Sequence, residues 1–130
     1  MARMFYFLAA GLCLAITYAH VFLGGPVVVD PIRGSSELAP TVIWLSYFTW
    51  HDGTVALVIS ALAYGYAGAK AGQRILAAFF TLMLAGFGLT GLAIAQFGSP
   101  ILWQTPAPYA FTLIAVIASV AIYTDRRTAD

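Results

Sequence analysis

The chain has 130 residues, of which 62% are hydrophobic and only 8% charged. Soluble domains carry about 25% Asp, Glu, Lys and Arg to cover their surface, so with a mean hydropathy of +0.89 lipid is the solvent that suits this one. A net charge of +1 leaves no electrostatic footprint for nucleic acid, and a lone cysteine, Cys13, excludes an internal disulfide and a cysteine-built zinc site.

The length supports a single membrane domain, 1–130, and the expected fold is an all-α polytopic integral membrane protein, a four-transmembrane-helix bundle. Residues 5–23 form the first apolar run, broken only by Thr17, Tyr18 and His20. About 20 apolar residues cross a hydrocarbon core of roughly 30 Å. Gly24-Gly25-Pro26 is expected to end this span, because glycine permits a left-handed turn and proline forbids continuation. A signal peptide is the competing interpretation, with Arg3 as its basic region and Thr17-Tyr18-Ala19 as a weak cleavage site; a retained span is expected. Residues 24–41 then read as the one substantial outer loop, with Asp30-Pro31, Gly34-Ser35-Ser36 and Pro40 as turn chemistry.

The second span is expected at 47–69, counted back from Lys70. Its outer end is rich in Trp44, Tyr47 and Trp50, whose rings favour the membrane interface. The third is expected at 75–97, where Gly86-x3-Thr90 and Gly91-x3-Ala95 are small-x3-small pairs that let helix backbones approach. The fourth, 101–123, has an entry broken by Pro106 and Pro108. Arg3, Lys70, Arg74, Arg126 and Arg127 fall on one side of the four spans and only Arg33 on the other. That bias puts both termini in the cytoplasm of a bacterial-type inner membrane.

Within this frame Trp50-His51-Asp52-Gly53 stands out, because an ionisable side chain inside a bilayer helix costs about 2.5–3.5 kcal/mol on insertion scales and marks a functional site by default. His51 and Asp52 lie 19 and 18 residues from Lys70, about 28 and 27 Å along a helix, and His20 lies about 25 Å from Arg3. Gln96 and Gln104 reach about 33 Å from Arg74 and Arg126 by the same count. All five therefore converge near the outer interface.

Three chemistries fit such a convergence. His20 and His51 could ligate copper or zinc, with Asp52 as third ligand or as the acceptor that orients a histidine, or hold a b-type haem axially. Adjacent helical residues point about 100° apart, which works against His51 and Asp52 aiming at one centre. A second chemistry is a pocket of His20, His51, Trp50, Trp103 and Gln104 for a quinone head or a lipid. In the third these groups only bond one another, Arg33 and the helix ends. The third is the expected one. It makes the protein a non-catalytic accessory or interaction subunit, with the bilayer, a membrane-protein partner or a second copy as its company. No catalytic residue is assigned, and the cofactor is left open between haem b, copper and zinc.

Overall fold

The computed structural model describes residues 1–126, all in helices and short connections, with no strand among them. Arg127, used in the charge argument above, lies outside the described residues.

The first helical stretch is longer than expected. The α-helix α1, Ala2–Tyr18, continues without a break through the wide π-helical turns of Ala19–Val29 into α2, Asp30–Arg33. Gly24-Gly25-Pro26 does not end it. Pro26 has no N–H, and in an α-helix its ring would collide with the carbonyl four residues back. Opening the turn to the i→i−5 register relieves that collision, and Asp30 N–H accordingly donates to the carbonyl of Gly25. The loop expected at 24–41 shrinks to residues 34–39.

Helix α3 runs from Pro40 to Ala69, with proline in its first turn where no N–H is needed. It stops at Lys70, whose backbone is extended, and Gly72 at φ 79° turns the chain into α4, Arg74–Ala93. A wide turn at Ile94–Gly98 ends α4, closed by Ser99 N–H donating to Ile94 O at 2.8 Å. The entry to the fourth span, expected to be broken by Pro106 and Pro108, contains a 3-10 turn, Pro100–Gln104, after which α5 occupies Ala107–Arg126.

Among the described residues, three stretches are long and apolar enough to cross a membrane: Ala2–Arg33, Arg74–Gly98 and Ala107–Asp125. Helix α3 is not one of them despite its 30 residues. His51, Asp52 and a series of Trp and Tyr side chains dilute its apolar run.

In the packing order α3–α1–α5–α4, α1 lies between α3 and α5, and α5 between α1 and α4. The core along these contacts is built largely from small residues, with Ala9 and Cys13 of α1, Leu57 and Ala61 of α3, and Ala118 and Ala121 of α5 buried in one cluster. Small side chains bring backbones close, which is how helices hold together when no water drives them. Gly68 receives the Phe7 ring, where a Cβ would lie 3.1 Å from the ring edge. Gly88 receives Thr112 and Gly91 receives Pro108. Of the two small-x3-small pairs expected on the third span, Gly91 serves this purpose, whereas Gly86 has open space around its Cα.

Helices α3 and α4 touch little beyond their connecting turn. Their bond is the buried pair Tyr64–Thr81, hydroxyls 3.0 Å apart. The start of α1 and the end of α5 share that same end of the bundle, joined by Tyr6 Oη–H donating to Asp125 at 3.2 Å. At the opposite end α3 and α4 part, and the wide-turn segment leans over the opening.

Candidate functional site

The opening between α3 and α4 is a groove of about 840 Å³. His20, Val28, Val29, Ile32 and Arg33 from the first helical stretch form one wall. The face of α3 from Leu45 to Gly53 forms the other, and Phe87 of α4 with Phe111 of α5 forms the floor. The two floor rings meet edge to face, centroids 5.5 Å apart. An apolar body with few polar groups is the usual make-up of a ligand site.

The polar groups sit at the mouth. The wide turns place His20 flat on the indole of Trp50, centroids 3.8 Å apart and 12° from parallel. One turn on, Gly24 comes so close to the tip of that indole that a Cβ would lie 3.0 Å from it. A side chain there would push the two helices apart, so glycine sets the spacing at which His20 can stack. His20 Nε2–H donates to the backbone carbonyl of Trp50 at 3.1 Å, and the Thr54 hydroxyl reaches that oxygen at 3.5 Å. A carbonyl can only accept, so Nε2 carries the proton and its lone pair is not offered to a metal.

Arg33 stacks its guanidinium over the ring of Tyr47 at 5.2 Å. Asp52 is exposed in the groove wall. No hydrogen bond or ion pair engages its carboxylate among the described residues. Arg33 and Asp52 thus line one groove with opposite charges and without pairing.

The structure brings His20, Trp50 and Asp52 together on this groove. His51 is not in the groove lining; it lies one turn after Tyr47, its ring edge-on to that lining ring with centroids 4.4 Å apart. Trp103 packs near Tyr109, centroids 6.1 Å apart, and accepts the Tyr109 hydroxyl on its carbonyl at 3.3 Å. Gln96 and Gln104 are exposed. Among the described residues no three His, Cys, Asp or Glu side chains come together as a metal set would require. A metal or axial-haem arrangement of His20, His51 and Asp52 therefore draws no support from where these side chains lie.

Phe87 and Phe111 were not singled out by the sequence, Gly24 was read only as part of a helix end, and Arg33 only as a possible bonding partner of the polar cluster. Arg33 looks like one charge in a balanced loop, and only the uninterrupted helix through Pro26 carries it back over α3. The two phenylalanines are indistinguishable in sequence from lipid-facing ones. A search of protein-family models, curated proteins and solved structures finds no match to this chain.

Proposed function

We propose that the chain is a four-span protein of a bacterial-type inner membrane, with both termini cytoplasmic, acting as a non-catalytic accessory subunit that binds through the groove at its outer end. The observation that carries this is the groove itself. His20, Arg33 and Asp52 gather there, on a molecule whose surface is otherwise dominated by exposed Leu, Ile, Val and Phe.

The four-span count is supported by the way α3 packs. It lies antiparallel along α1 from the Phe7–Gly68 contact at one end to the Gly24–Trp50 contact at the other. A helix paired over that length with a membrane-spanning neighbour shares its depth. The aromatic start of α3, with Trp44, Tyr47 and Trp50, suits the interface.

Labelling tests the topology. In a Cys13→Ala background, Ser36→Cys and Ala71→Cys are each probed with a membrane-impermeant maleimide on intact cells. Ser36→Cys should react from outside and Ala71→Cys only after lysis. Reaction of both from the same side would mean that α3 does not cross. Gentle solubilisation in polymer-bounded native discs then tests the accessory role, which predicts retention of a bound ligand or a larger membrane partner. A protein that comes out alone and free of any enriched molecule would sink it.

A further inference from the structure

We propose that the groove holds one phospholipid of the outer leaflet, and that the headgroup it selects is a zwitterion with a primary ammonium, of the phosphoethanolamine type. The proposal rests on the groove being the outward binding site described above, and narrows it to one occupant.

Charge complementarity carries the choice. Arg33 and Asp52 line the same mouth with opposite charges, and no ion pair within 4.0 Å joins them. Stacking on Tyr47 fixes Arg33 without consuming its N–H groups, five donors in a planar fork suited to a phosphate. Asp52 is acceptor-only when ionised and, among the described residues, takes no donor from the protein. A ligand with one phosphate and one ammonium matches both. A singly anionic headgroup would leave Asp52 facing a like charge.

The aromatic faces decide between a primary and a quaternary ammonium. A quaternary ammonium is recognised by open aromatic faces. Here one face of Trp50 is covered by His20, and the Tyr47 ring is engaged by Arg33 and His51. That leaves no cage of open aromatic faces, and the acceptor with no partner among the described residues is the Asp52 carboxylate, which favours N–H donors.

The rest of the groove suits the rest of a lipid. Its volume, about 840 Å³, is far more than a headgroup fills, and Phe87, Phe111, Leu45 and Ile32 provide an apolar bed for the upper acyl chains. Because α3 and α4 part at this end, the chains can leave sideways between the helices.

The test uses the full chain, delipidated in detergent and examined by native mass spectrometry with equal amounts of phosphatidylethanolamine, phosphatidylcholine and phosphatidylglycerol of identical chains, and with a short-chain quinone. One equivalent of phosphatidylethanolamine should be retained about tenfold over each of the others, the size of one charge-assisted hydrogen bond. Asp52→Asn should erase the preference over phosphatidylglycerol, and Asp52→Glu should restore most of it. Arg33→Gln should weaken all three phospholipids alike. Equal retention of the three by the native protein, preference for the quinone, or an unchanged ranking in Asp52→Asn would overturn the proposal. The native protein's ranking decides by itself should a variant not fold. The labelling experiment fails independently: correct topology with a flat lipid ranking removes this inference alone, whereas both positions labelling from one side removes the outward groove on which it rests.

Discussion

His20 is tied to Trp50 twice, its ring stacked on the indole at 3.8 Å and its Nε2–H bonded to the same residue's carbonyl at 3.1 Å. The two contacts fasten the wide-turn segment to α3 at the mouth of the groove. A stacked ring pair contributes about 0.5–1.5 kcal/mol and a hydrogen bond about 1 kcal/mol. His20→Ala should therefore lower stability by about 1–3 kcal/mol. His20→Phe keeps a ring and loses the donor, and should recover part of that loss. Thermal unfolding in a fixed detergent measures both; equal losses would mean that the stack contributes nothing.

Gly24 makes this stack sterically permissible. A methyl group at Gly24 would sit 3.0 and 3.2 Å from two carbons of the Trp50 ring, so either the ring or the helix must give way. Overpacking of this kind costs typically about 1–3 kcal/mol. Gly25→Ala is the matched control, since nothing lies within 4 Å of its Cβ position. Gly24→Ala should melt lower and Gly25→Ala close to the native protein, and the reverse order would show that the two helices are not held at this spacing.

A second glycine pair tests the contact between α4 and α5. At Gly88 a Cβ would meet Thr112 Oγ1 at 2.6 Å and the Thr112 backbone nitrogen at 3.0 Å. The second neighbour is backbone and cannot swing aside. Gly88→Ala should cost about 1–3 kcal/mol. Gly86→Ala, with open space around it, should be neutral or stabilising by up to about 1 kcal/mol through helix propensity. Comparison of the two melting temperatures checks this, and equal effects would contradict the packing of α4 on α5.

These pairs also mark what could be read from the sequence. The helical class, the proximity of His20 to Trp50 and Asp52, and the role of Gly91 follow from apolar run lengths and from counting rise per residue. The choice of Gly88 over Gly86 does not: Gly86 has Thr90 four residues on, whereas Gly88 has Leu84 and Leu92 at that spacing, and the rotation of α4 against α5 decides which glycine is covered. Gly24-Gly25-Pro26 misled for a related reason. Proline ends a helix that must keep four-residue hydrogen bonds, but a helix free to widen keeps going, and no local signal distinguishes the outcomes. Arg33 reaches the groove only through that continuation. His51, adjacent to Trp50 in sequence, points about 100° away from it and packs on Tyr47 at the edge of the groove.

The bond between Tyr64 and Thr81 gives a prediction about direction as well as size. Thr81 Oγ1 donates its one proton to the carbonyl of Ala77 at 2.8 Å. The Tyr64 hydroxyl must therefore be the donor in the 3.0 Å contact, with Thr81 Oγ1 accepting. Tyr64→Phe removes a donor and leaves Thr81 still bonded to Ala77, a loss of about 1 kcal/mol. Thr81→Val removes the acceptor and leaves the Tyr64 hydroxyl inside the core with no partner, which costs about 1–3 kcal/mol. In Thr81→Val plus Tyr64→Phe the orphaned hydroxyl is gone, so the double variant should be more stable than Thr81→Val alone. Thermal melts of the three variants check the order. A double variant less stable than both singles would show that Tyr64 does not donate to Thr81, and that α3 and α4 are joined at this end by packing alone.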